Sequence, residues 1–162
     1  MSPRPPLVIG IGNPQRGDDG LGLVVVKTLR SRLGDGAPRL RCLPGDATGL
    51  LSAWEGEDCV LVIDALAAPT PPADRGPVWR IDARTDALPA LHERASSHGL
   101  GLAEAVELAR SLDRLPRRLV VFAVRGECFE RQEALSPAAQ AAVLPAVEAL
   151  EHELATLAQA AA

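Results

Sequence analysis

Three places in the chain bring ionisable side chains to the point where an apolar run gives way to a helical pattern. The first is Gly10-Ile11-Gly12-Asn13-Pro14-Gln15-Arg16-Gly17-Asp18-Asp19-Gly20, which holds two adjacent carboxylates. One aspartate at such a position is accounted for as a helix cap, with the glycines making the turn. A second is explained less well that way, and is left to face a crevice. The second place is Asp64, which follows Cys59-Val60-Leu61-Val62-Ile63. A carboxylate at the end of a buried strand needs hydrogen-bonding partners or a cation, because isolated burial is costly. A turn-making aspartate bonded to loop backbone is the alternative. The third is Ser96-Ser97-His98-Gly99-Leu100-Gly101-Leu102, where small neighbours leave an imidazole accessible as a ligand or acid/base group, or as a local hydrogen-bond donor. Two carboxylates and an imidazole form a mixed oxygen and nitrogen donor set. Such a set suits Ni²⁺, Zn²⁺ or Mn²⁺ and leaves coordination positions open. His92, in a polar irregular stretch, and His152, on a charged helical face, read as solvated.

The elements that must position these groups alternate along the chain. Leu7–Ile11 reads as a buried strand, and Leu21 to Leu33 as a helix with Leu21, Val25, Leu29 and Leu33 on one face. A second strand is expected over Leu40–Leu43 and a short helix over Gly49–Trp54. Cys59–Asp64 is apolar throughout, as a central parallel strand should be. After the Pro-rich link Ala68-Pro69-Thr70-Pro71-Pro72 comes a modest strand, Val78–Ile81. The link is too short for a crossover helix, so this strand is expected at an antiparallel edge. Asp82 to Ser97 reads as irregular or partly helical. Leu102 to Leu112 forms a helix with Leu102, Val106, Ala109 and Leu112 inward, and Leu119–Val124 another buried strand. Ser136 caps and Pro137 opens a last helix, with Val143, Val147, Leu150, Leu154 and Leu157 on one stripe. Pro145 is expected to kink or divide it. The order implies one three-layer α/β domain over residues 1–162, built on a mostly parallel five-stranded sheet. In such sheets ligands bind outside the carboxyl ends of the strands, where all three polar places fall.

Composition narrows the function further. The 162 residues carry a formal net charge of −4, with no basic footprint for a phosphate-dominated nucleic-acid partner. The aromatic residues are Trp54, Trp79, Phe122 and Phe129, too few for a base-stacking platform, and Lys27 is the single lysine. The first loop begins like a dinucleotide fingerprint, but Gln15 occupies the place of its third glycine, and no acidic residue ends the second strand. Cys42, Cys59 and Cys128 have neither disulfide nor CxxC spacing, and Cys42 and Cys59 are expected in the core. With no signal-peptide pattern at the N-terminus and no run of about 18 apolar residues, a cytoplasmic location is expected.

Four segments in register, Gly10-Ile11-Gly12-Asn13 with Asp18-Asp19-Gly20-Leu21-Gly22, Gly45-Asp46-Ala47-Thr48-Gly49, Val62-Ile63-Asp64-Ala65 and Ser97-His98-Gly99-Leu100-Gly101-Leu102, resemble the hydrogenase maturation endopeptidases. The likeness runs from about residue 7 to the final helix. It implies a protease that removes the C-terminal tail of a [NiFe]-hydrogenase large-subunit precursor once nickel has been inserted, with the nickel brought by the substrate as the recognition signal. It assigns nickel contact, and with it catalysis, to Asp19, Asp64 and His98. Gly12, Asn13, Asp18, Asp46 and Thr48 are implied to line the same cleft, Asp46 being a carboxylate where the family usually has glycine. The implied partner is the precursor alone, met by a monomer, with no nucleic acid and no membrane insertion. The tail is expected to lie along 65–76 and Val124-Arg125-Gly126-Glu127. A nickel-handling chaperone that does not cleave, and a related peptidase with another precursor, are the competing readings.

Overall fold

The computed structural model describes residues 4–66, 76–88 and 101–162. Strand β1 (Leu7–Ile11) is buried along its whole length. It pairs in parallel with β2 (Arg39–Leu43) on one side and β3 (Cys59–Leu66) on the other. β4 (Val78–Asp82) and β5 (Arg118–Arg125) complete a five-stranded sheet of order β2-β1-β3-β5-β4. β5 runs parallel to β3, and β4 lies antiparallel to β5 at the edge. The antiparallel edge strand inferred from the short β3–β4 link is therefore present, and its partner is β5.

Alternation along each strand divides the core in two. Leu7, Ile9, Val60, Val62 and Val121 face α2 (Ala47–Trp54) and α3 (Leu102–Ser111), closing on Leu50, Trp54, Leu102 and Val106. Val8, Leu61, Ile63, Val120 and Phe122 face α1 (Leu21–Leu33) and α4 (Pro137–Ala161), closing on Val25, Leu29, Val147 and Leu150. Asp64 shares the parity of Val60 and Val62, so it belongs to the α2/α3 face near the carboxyl end of the sheet.

Several local expectations are corrected. Leu112 is not inward: it follows the last turn of α3 and is 54% exposed. Cys42 is exposed and Cys59 only part-buried, because β2 is an edge strand and Cys59 opens β3 at its rim. Pro145 does not divide the last helix, which runs unbroken from Pro137 to Ala161. An interior proline costs about 3 kcal/mol. Here Ala142, Val143, Ala146, Val147 and Leu150 are buried on both sides of it, and that packing outweighs the cost. Ser136 caps this helix as expected, accepting from the Ala139 N–H at 3.2 Å. Asp64 lies within β3, two residues before its end, because β3 keeps pairing with β5 as far as Leu66.

Candidate active site

The site is where neighbouring strands part. β1 pairs with β3 only as far as Gly10 opposite Ile63. Beyond that point it leans towards β2, with Ile11 opposite Leu43 and the Gly12 N–H donating to the Leu43 carbonyl at 3.0 Å. β3 continues on the other side, Leu66 opposite Arg125, and the Gly126 N–H donates to the Leu66 carbonyl at 2.9 Å. A crevice between β1 and β3 therefore opens beside Asp64, the first β3 residue past the shared ladder. This is the topological switch point at which open α/β sheets bind ligands.

The loop after β1 delivers the second carboxylate. It ends in a short 3₁₀ turn, Gly17–Gly20, that leads directly into α1. Neither aspartate caps a helix, since neither this turn nor α1 has a side-chain cap. Asp19 Oδ2 instead accepts the Asn13 N–H at 2.9 Å, and Asn13 Oδ1 accepts the Gln15 N–H at 2.9 Å. The loop is thus folded back on itself around Asp19. Gly12 makes that possible: its φ is 151°, and a Cβ there would collide with the Asp19 carbonyl oxygen. Gly22, in the first turn of α1, likewise has no room for a Cβ against the carbonyls of Ile11 and Ile63, so the helix start is pressed onto the sheet beside the crevice.

The two carboxylates interact. Asp64 is 2% exposed, and among the described residues its carboxylate accepts one hydrogen bond, from the N–H of Ala65 at 2.8 Å. Burial, and after it the negative charge of Asp19, push the Asp64 carboxyl well above its ordinary value of 3.8; the Ala65 N–H pulls it back only in part. The arrangement shifts Asp64 towards its protonated form, or towards pairing with a positive charge. A carboxyl so held can serve as a general acid, and a divalent cation between the pair would allow both groups to ionise.

Asp18 has a different environment. It is wholly buried and bonded to the segment after β5. Its carboxylate accepts the N–H groups of Glu127 at 2.7 Å, Cys128 at 3.0 Å and Ser136 at 2.7 Å, and the Ser136 hydroxyl at 2.7 Å. Burial acts to raise this carboxyl, but the N–H groups of Cys128, Glu127 and Ser136 and the Ser136 hydroxyl together hold it below 3.8. Ser136 was legible as a helix cap. Its bond to Asp18 was not, because the two residues are 118 positions apart.

The remaining residues singled out by the sequence are spread around this centre. Asp46 sits at the carboxyl end of the sheet as the cap of α2, its Oδ2 accepting the Gly49 N–H at 2.8 Å. Thr48 is exposed on α2 and lines a cavity of about 500 Å³ that extends to Asp58 and Arg117, at the amino ends of β3 and β5. Val124–Glu127 lies at the same sheet end as Asp64. His152 is exposed on α4. His98, His92 and residues 67–75 of the Pro-rich link lie outside the described residues. Among the described residues, no group of three or more His, Cys, Asp or Glu side chains is arranged to hold a metal ion.

A fold with its crevice between β1 and β3, carboxylates from the first loop and the central strand, and helices on both faces defines a class that comparison with known proteins identifies. Residues 45–153 match the family model described as hydrogenase maturation protease, a stretch that includes Asp46, Asp64 and His98. Hydrogenase 2 maturation protease of Escherichia coli (strain K12) is 30% identical over 147 residues, covering 88% of this chain and 85% of that protein. Among solved structures, the hydrogenase maturating endopeptidase HybD from E. coli superposes with a TM-score of 0.71 at 26% identity, covering 94% of this chain and 93% of the other. The hydrogenase 2 maturation peptidase from a Thaumarchaeota archaeon gives a TM-score of 0.63 at 26% identity, covering 93% and 98%. The chain belongs to the hydrogenase maturation protease family, and its class is that of a hydrolase acting on protein.

Proposed function

We propose that this protein is an endopeptidase that removes the C-terminal tail of a [NiFe]-hydrogenase large-subunit precursor after nickel insertion, and that it reads the nickel carried by that precursor as the signal to cut. The observation that supports this best is the unbalanced pair at the switch point: Asp64 is buried, meets one N–H, and faces the charge of Asp19. A pair so placed gains most from a ligand that brings a positive charge into the crevice. In this reading Asp19, Asp64 and His98 contact the substrate's nickel and hold the scissile peptide next to the carboxylates.

Two routes to hydrolysis use these groups. In the first, one carboxylate activates water while the protonated partner donates to the leaving amine. In the second, the divalent ion lowers the pKa of a bound water, which then attacks. The first needs a proton on the pair and loses rate as pH rises through the pKa of that pair; the second gains rate as pH rises through the pKa of the bound water. A pH–rate profile on nickel-loaded precursor separates them.

Val124–Glu127, beside the end of β3, is the described part of the surface along which the tail would run. The protein acts as a monomer in the cytoplasm, and among the described residues no helix is long and apolar enough to cross a membrane. The deciding experiment incubates the protein with precursor, nickel-loaded or nickel-free, and weighs the product by mass spectrometry. Loss of the tail mass in the loaded sample alone is expected. An uncut loaded precursor overturns the protease reading and favours a chaperone that handles nickel without cleaving. Equal cutting of both overturns nickel as the signal.

A further inference from the structure

Asp18 stands next to Asp19 in sequence but takes no part in the unbalanced pair. We propose that Asp18 is a positioning residue, a buried clasp that fixes the Asp19 loop to the segment following β5 and so sets where the Asp19 carboxylate stands relative to Asp64. The proposal rests on the functional reading above for its kinetic test, and on the geometry alone for its structural one.

The clasp joins the two walls of the crevice. One wall is the loop after β1, which carries Asp19. The other begins at Gly126, whose N–H bonds the Leu66 carbonyl two residues past Asp64, and runs on to Ser136. Asp18 is bonded into that second wall by both its side chain and its backbone. Its carboxylate takes three backbone N–H groups and one hydroxyl from it, and its own N–H donates to the Cys128 carbonyl at 2.7 Å. The preceding Gly17 N–H donates to the Gln132 carbonyl at 2.7 Å.

Little slack remains on either side. A Cβ on Gly126 would lie 3.0 Å from the Asp18 Cβ, and a Cβ on Gly12 would collide with the Asp19 carbonyl. Consecutive residues of a tight turn project in different directions, so fixing Asp18 inward fixes Asp19 outward. The donor arithmetic requires a carboxylate. Its two oxygens have about four lone-pair sites, whereas an amide has one acceptor oxygen and would turn its NH₂ against N–H donors. Misplacing a reacting group by about 1 Å can cost on the order of 10²-fold in rate.

The test compares the parent with Asp18→Asn, Ser136→Ala and Ser136→Thr, each at a temperature where circular dichroism shows it fully folded. On nickel-loaded precursor, Asp18→Asn is expected to lower kcat by about 10²-fold and to move KM by less than about threefold, as an interaction acting on the reacting groups should. Ser136→Ala, which removes one of the four bonds and the cap of α4, should fall between it and the parent, and Ser136→Thr, which keeps the hydroxyl for both, should stay near the parent. Amide hydrogen exchange should show 12–20 and 126–136 losing protection together in Asp18→Asn, with the β-sheet unchanged. A folded Asp18→Asn with parental kcat, or with parental exchange over 12–20, overturns the proposal. If the parent itself leaves the precursor uncut, the functional reading fails while the exchange experiment still decides the clasp. If Asp18→Asn does not fold, the Ser136 pair decides: Ser136→Ala indistinguishable from Ser136→Thr in both rate and exchange overturns it.

Discussion

Asp18 and Asp64 are both buried aspartates at the carboxyl end of one sheet, and their surroundings differ in almost every other respect. Among the described residues Asp18 meets four donors and is held below 3.8; Asp64 meets one and, pressed by burial and by Asp19, is held well above it. The same side chain is ionised and satisfied in one place and biased towards its neutral form in the other. The contrast separates structure from chemistry. A carboxylate whose lone pairs are filled by the protein has no capacity left for a substrate, whereas one left short of donors retains both the capacity and a shifted pKa.

The comparison is most sharply tested by removing charge at each site. Asp64→Asn is expected to reduce tail removal from nickel-loaded precursor by about 10³-fold, the scale of a lost acid/base group; mass spectrometry against time measures it. Asp18→Ala strands three N–H groups, that of Ser136 buried and those of Glu127 and Cys128 part-buried, together with a hydroxyl, and should lower unfolding free energy by about 3 kcal/mol. In urea titration that appears as an earlier midpoint, and on heating as a Tm lower by about 9 °C. Asp64→Asn should act in the opposite sense on stability, raising it by about 1 kcal/mol at neutral pH, because the parent must take up a proton or bury a poorly solvated charge on folding and the neutral isostere does neither. A destabilised Asp64→Asn would mean that Asp64 too is a structural anchor. Glu151→Gln supplies the baseline. It loosens a surface pair with Arg32 at 2.9 Å and should cost about 0.5 kcal/mol, far less than either buried change.

The pH dependence of stability follows with opposite signs. The Asp64 carboxyl titrates above 3.8 in the fold, so the unfolded chain releases that proton first. Stability then falls as pH rises from about 3.8 through the folded-state pKa. Asp18 titrates below 3.8, so its contribution is present above that value and is lost as pH drops through its folded-state pKa. Stability scans of the parent against Asp64→Asn should differ by a slope confined to the range above pH 3.8, which the variant lacks.

The sheet could be read from the sequence because its strands are continuous apolar runs, and because the link before Val78 is too short for a helix. What failed depended on position in the sheet. Cys42 looks like core by composition, but β2 is an edge; Leu112 fits the apolar stripe of α3 and falls one residue past its end. Pro145 obeys a local rule that burial on both sides overrides. In the candidate site, Asp64 was singled out because a charge at the end of an apolar run is conspicuous. The opposite fates of Asp18 and Asp19 were not legible, since the donors that claim Asp18 come from 109, 110 and 118 residues away and carry no local signal. Asp46, bonded three residues on to Gly49, follows the ordinary pattern of a helix cap.

The central claim is that two buried aspartates beside one crevice have their carboxyls displaced in opposite directions, Asp18 downward by its donors and Asp64 upward by burial and the charge of Asp19. Carboxyl carbon NMR on the folded protein, with Asp18 and Asp64 assigned by their Asn variants, follows both through a pH titration directly. The expected result is a midpoint for Asp18 below 3.8 and one for Asp64 clearly above it. A midpoint for Asp64 at or below that of Asp18 would contradict the account.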